Sequence, residues 1–137
     1  MTPAEIVAIR TDFAVLAPQA DAFAERFYER LFALDPALRP LFPTELAPQR
    51  KKLLQALAVV VTGLDRLDAL LDTLRELGRR HAGYGVETHH YAVVGEALLA
   101  TLAERVTDFG DRNRSAWSRA YATLAEVMSG APREEAA

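Results

Sequence analysis

Apolar residues recur along this chain at spacings of three and four, with no sustained alternation of period two. That pattern leaves room for helices only. A strand buried on one face needs an apolar side chain at every second position, so the prediction is an all-α domain. With 137 residues, half of them apolar, the chain has enough for one compact core and too little for two ordinary domains. One domain is expected over 1–130, followed by a frayed tail over 131–137.

Local signals divide the chain. Thr2, Pro3 and Glu5 form a helix start, with a hydroxyl cap, a proline in the first turn and an acid at the third position. Ile6, Ile9, Phe13 and Leu16 then share a face until Pro18 interrupts. A second helix fits 20–34, with Phe23, Phe27, Leu31 and Leu34 on one stripe and Ala24 and Tyr28 beside it. Asp35 and Pro36 open a short helix that Pro40 and Pro43 confine, leaving Phe42 in a corner. A long helix over about 46–64 carries Gln49, Leu53, Ala56 and Val60 on one face, with Gly63 near its end. Leu70, Leu74, Leu77 and His81 lie on one line of the next helix, and Gly83 with Gly85 lets the backbone leave it. Thr88 can cap a helix bearing Tyr91, Val94, Gly95, Leu98, Leu102 and Val106. After a polar corner over 107–115, a last helix carries Trp117, Ala120, Tyr121, Leu124 and Val127. About seven helices of unequal length result, with little or no separate helix in the corner after Phe42. Unequal lengths favour irregular pairwise packing over a simple four-helix bundle.

Several classes are set aside on composition. The absence of cysteine excludes disulfides, thiolate metal sites and thioether attachment of a cofactor. Sixteen basic against nineteen acidic residues give a net charge of -3, and the basic run QRKK over 49–52 has no interleaved aromatics, so no nucleic-acid partner is expected. No apolar run approaches the length of a membrane span; LLQALAVVVTGL over 53–64 reads as a buried helix. The N-terminus lacks a basic segment followed by an apolar core, so a cytoplasmic location is expected. GYG over 83–85 is too short for a phosphate loop and follows no strand. His89 and His90 are neighbours, and side chains at adjacent helical positions diverge by about 100°. They are expected as exposed first-turn residues, not as ligands of one ion.

His81 is the informative histidine. Its place on an apolar stripe leaves two readings open: a boundary imidazole satisfied by backbone or water, or a ligand facing an enclosed cavity.

A combination of motifs narrows the choice. FYERLFALDPALRPLF over 27–42, Gln49 with Leu53 four residues on, His81 with Val86 five further on, and the helix of Trp117 occur in an order that resembles the globin family over about residues 4–129. The chain looks most like the bacterial single-domain globins related to flavohemoglobins. LFALDP (31–36), LGRRH (77–81), VGEALL (94–99) and AWS (116–118) are also similar to neuroglobin-like chains. The resemblance implies a globin fold around non-covalent haem b, with oxygen, carbon monoxide or nitric oxide as the iron's ligand. It places His81 at the proximal iron ligand, Phe42 at the corner phenylalanine stacked on haem, and Tyr28, Gln49 and Leu53 at the distal, ligand-facing positions. Leu77, Val86 and Tyr91 fall at haem contacts, and Lys52 and Arg80 are candidates for the haem carboxylates. In flavohemoglobin-like chains the tyrosine matching Tyr91 joins a relay with a late-helix glutamate. Here the register puts Pro132 at that place and Glu126 at least a turn too early, so the relay is expected to be missing and Tyr91 to be a core residue with a paired hydroxyl. Gln49 and Tyr28 depart from the neuroglobin-like pattern, so a distal histidine ligand is not expected. Reversible gas binding is the implied function, in a monomer or dimer. The alternatives are nitric oxide dioxygenation, for which a separate reductase is expected to be required, and gas sensing through a partner.

Overall fold

In the computed structural model residues 1–130 are described, and all regular structure among them is helical. Six α-helices run in order: α1 (Pro3–Leu16), α2 (Ala20–Leu34), α3 (Ala47–Thr62), α4 (Leu67–Gly83), α5 (His90–Arg105) and α6 (Asp111–Ser129). Short 3₁₀ segments occupy Ala17–Gln19, Pro36–Leu41 and Leu64–Arg66. The expected seventh helix is the Pro36–Leu41 segment. Pro40 lies inside it and has no N–H to donate, so a longer α ladder does not form.

The caps show why most boundaries were readable. Thr2 and Glu5 exchange side-chain bonds with each other's backbone N–H groups at 2.8 and 3.2 Å. Asp35 accepts the Ala37 N–H at 3.2 Å, and α3 ends at Gly63. The start of α5 differs from expectation. Thr88 does not cap it; His89 holds the cap position without a side-chain bond. Instead the buried His90 ring accepts the Glu87 N–H at Nδ1, 2.9 Å away, which satisfies a donor that Thr88 leaves alone. His90 is therefore not the exposed residue that adjacency suggested.

The core is formed by Phe23, Phe27 and Leu31 of α2, Leu98 and Leu102 of α5, Ile9 and Leu16 of α1, and Trp117 of α6. Asp12 is buried among them, and its carboxylate accepts hydrogen bonds from Trp117 Nε1 at 3.0 Å and from Asn113 Nδ2 at 2.9 and 3.1 Å. Those charge-assisted bonds compensate the desolvation of the carboxylate and pin α1 to the first half of α6.

The helix pairing positions everything that follows. α2 packs on α5 and α3, α4 packs on α6, and α3 and α4 have no extensive interface with each other. Gly78 lets α4 approach: a Cβ there would stand 2.1 Å from the Met128 carbonyl oxygen.

Candidate functional site

His81 sits in the last turn of α4, half-buried, with Nδ1 2.7 Å from the Leu77 carbonyl oxygen. A carbonyl only accepts, so Nδ1 carries the hydrogen and Nε2 keeps its lone pair. The helix itself fixes this tautomer, because residue 77 is one turn before residue 81. A ring held in this way is oriented and made more basic as a metal ligand.

Beyond His81 the chain folds back. The Val86 N–H bonds to the His81 carbonyl at 3.0 Å, and Gly85 adopts a φ of 93°, a conformation that L side chains rarely take. A Cβ at Gly85 would stand 3.3 Å from Leu41 Cδ2. The corner after His81 thus touches the corner that carries Phe42.

The other half of the site is aromatic. Tyr28, buried on α2, packs edge-on against Phe42 with ring centroids 5.6 Å apart and against Phe27 at 5.0 Å, and stacks on Phe32 at 5.9 Å. Burial raises the Tyr28 hydroxyl above the ordinary tyrosine range, while a hydrogen-bonding interaction with the Gln49 side chain acts in the opposite direction. Tyr28, Phe42 and Gln49 are therefore brought together from α2, the corner and α3. Leu53 is half-buried one turn beyond Gln49, as are Leu57 and Val60 further along the helix.

The remaining expected residues divide. Leu77 and Val86 are half-buried near His81 in the chain. Lys52 and Arg80 are exposed and make no ion pair among the described residues, whereas Arg79 pairs with Glu76 at 2.9 Å. Tyr91 departs from expectation. Its hydroxyl makes no hydrogen bond to the described residues, because the side chain borders an open hollow of about 650 Å³ shared with Gly78, Ala82, Val86 and Met128. Its backbone is engaged at both groups, the N–H donating to the Thr88 carbonyl at 3.2 Å and the carbonyl accepting the Tyr121 hydroxyl at 2.6 Å. Glu126 is exposed, and Pro132 lies outside the described residues. A second hollow of about 420 Å³ lies against Asp72, Thr73, Glu76, Leu77 and Arg80. Neither hollow has His81, Tyr28 or Gln49 in its wall.

Arg39 was invisible to sequence reasoning. It donates to the carbonyl oxygens of Phe42, Pro43 and Thr44 at 3.4, 3.0 and 3.0 Å, and its guanidinium lies 5.2 Å from the Phe32 ring centroid. One side chain thus braces the corner that presents Phe42, in a stretch with no helix to do so.

The fold is that of the globins. It is similar to a bacterial globin from Campylobacter jejuni, with a TM-score of 0.83 and 22% identity covering 97% of each chain. It is also similar to the hemoglobin of the shortfin mako, Isurus oxyrinchus, with a TM-score of 0.79 and 21% identity over 94% of this chain and 96% of that one. The Globin family profile matches residues 25–128, and the chain belongs to that family. Within it the chain is related to the globin domains of bacterial flavohemoproteins. It is 31% identical to the flavohemoprotein of Rhizobium meliloti (strain 1021) over 130 residues, 92% of this chain and 32% of the relative. With that of Vibrio cholerae it shares 30% over 132 residues, 93% of this chain and 34% of the relative. The chain spans about a third of the length of these relatives.

Family membership implies haem as cofactor and a diatomic gas as its ligand. The residues present fit such a group: an imidazole with an available Nε2, and apolar side chains of α3 and α4 left partly uncovered. No helix among the described residues is long and apolar enough to cross a membrane.

Proposed function

We propose that this chain holds haem b non-covalently through His81 and binds oxygen or another diatomic gas reversibly beside Tyr28 and Gln49. The observation that carries the proposal is the Leu77–His81 hydrogen bond, which leaves Nε2 as the only ring nitrogen with a free lone pair. Bound haem supplies an iron atom with one position for this nitrogen and one for the gas.

The chain's own residues supply the rest. Leu77 holds the ring against rotation and strengthens Nε2 as a donor of electron density. Tyr28 stays protonated through neutral pH, because burial raises its pKa, and donates to a ligand that gains negative charge on binding. Oxygen gains such charge and carbon monoxide hardly does, so the hydroxyl discriminates between them. Gln49 orients that hydroxyl or donates beside it. An amide is a poor substitute for an imidazole on iron, so the gas position stays available. Phe42 and Leu53 exclude water, Val86, Leu77 and Tyr91 line the cofactor, and Lys52 and Arg80, exposed and without an ion pair among the described residues, meet its carboxylates. The setting proposed is cytoplasmic, with no nucleic-acid or membrane partner.

A second reading is favoured by the relation to flavohemoproteins. In it nitric oxide, oxygen and one electron give nitrate, the electron coming from a flavin reductase.

The deciding experiment is His81→Gly with exogenous imidazole. The variant is expected to lose the ferrous histidine-ligated absorption spectrum and to regain it when imidazole is added. A variant that takes up haem with the parent's ferrous spectrum, without imidazole, refutes the assignment.

A further inference from the structure

We propose a second metal site, at the corner between α4 and α5, in which Glu87, His89 and His90 hold a divalent cation of the zinc class. Although adjacent helical side chains diverge by about 100°, the rings of His89 and His90 come together at the start of α5. In the structure His89 is the cap residue of α5 and His90 its first helical residue, and their rings are 4.2 Å apart at the centroids and tilted by 54°. Glu87, His89 and His90 each offer one ligand atom, and the three atoms lie within 4.8 Å of one another. In a tetrahedral zinc site the donor atoms are about 3.4 Å apart, given metal–ligand distances of about 2.0–2.1 Å. The difference is closed by rotating Glu87 and His89, both exposed.

His90 is the fixed member. It is buried, and the Glu87 N–H bonded to Nδ1 sets its ring before any ion arrives. A neutral imidazole has one lone pair, so the ion must take the place of that N–H. The positive end of the α5 dipole also opposes a cation. The negative Glu87 carboxylate acts against both, so the site is weaker than a structural zinc site built from four protein ligands. Ions have a route in, because Glu87 and His89 border the open hollow of about 650 Å³.

Two imidazoles and one carboxylate select zinc or copper over magnesium and calcium, which prefer oxygen donors throughout. The chain has three histidines. His81 is engaged elsewhere, so the remaining two make a site that does not depend on the haem reading.

The test is titration of the purified, haem-containing protein with Zn²⁺ in competition with a chromophoric chelator, with Mg²⁺ as control. One equivalent of zinc is expected to bind, and His89→Ala and Glu87→Gln are each expected to weaken it roughly tenfold or more. Both changed side chains are exposed, and unchanged helical circular dichroism checks that the variants are folded. No saturable zinc binding, or equal affinity in the parent and both variants, overturns the site.

Discussion

Replacing Tyr28 by phenylalanine removes one hydroxyl from a ring whose contacts with Phe27, Phe32 and Phe42 remain in place. The apolar packing is therefore conserved. The lost interaction with Gln49 is offset by removing a buried polar group, so stability is expected to change by less than about 1 kcal/mol. Oxygen binding should respond far more. A hydrogen bond to a charged acceptor contributes about 1.5–3 kcal/mol, and each 1.4 kcal/mol is about tenfold. Oxygen is expected to leave the variant about 10- to 150-fold faster than the parent. Carbon monoxide, nearly neutral when bound, should leave at a rate within about threefold of the parent's. Stopped-flow displacement of each gas by the other measures both rates on one preparation, and a thermal melt verifies the stability. Unchanged oxygen dissociation in a folded variant removes Tyr28 from its role. Equal acceleration of both gases refutes the reasoning differently, since it shows a change in pocket shape and not the loss of a donor.

Two further outcomes follow from buried polar groups. Asp12→Ala leaves the Trp117 indole N–H and the Asn113 amide without their acceptor and is expected to lower unfolding free energy by about 2–4 kcal/mol, read from the denaturant midpoint; a loss below about 0.5 kcal/mol contradicts the clamp. Burial raises the hydroxyl pKa values of Tyr28, Tyr91 and Tyr121, while unfolded tyrosines titrate near about 10. The folded state thus holds these protons longer, so their contribution is complete below about pH 10 and is lost as pH rises from there through the folded values. Helical circular dichroism should collapse on that alkaline limb, and Tyr121→Phe should make the decline shallower; a parent and variant with superimposable alkaline profiles refute this attribution.

What the sequence revealed depended on how local the cause was. The bounds of α2 were legible because Pro18 precedes it and Asp35–Pro36 follows, and α1 announced itself through Thr2 and Glu5. The short Pro36–Leu41 helix was legible in its place and its Asp35 cap, but not in its 3₁₀ character, because a proline pattern limits the length of a helix without saying whether its turns are α or 3₁₀. Thr88 had the chemistry of a cap, yet the His90 ring reached Glu87 first, and no periodicity rule reports that competition. In the site, the apolar stripe gave the place of His81 but not its tautomer, which belongs to the Leu77 carbonyl. Asp12 carried no signal at all: its partners are 101 and 105 residues away, and an acid in the middle of an apolar helix looks like a solvated face until the fold closes over it.

The distribution of burial also explains why the functional residues gather where they do. The most completely covered large side chains, Phe23, Ile9, Leu31, Leu102 and Thr101, all belong to α1, α2 and α5, and the Asp12 bonds tie α6 to that group. These helices complete one another without outside help. By contrast α3 has only Val61 buried and α4 only Leu74 and Gly78, although both carry many apolar residues. α3 packs on α2 and α1 and α4 on α6, and neither covers the other extensively. Leu53, Leu57, Val60 and Leu77 consequently remain partly exposed, at a loss of about 25 cal/mol for each Å² of apolar surface left in water. A flat apolar cofactor held by Nε2 of His81 is a partner of the right chemistry for that surface. On this reading the incomplete packing of α3 against α4 is what makes room for binding, and the rigid remainder of the core keeps Tyr28 and Phe42 in register with it.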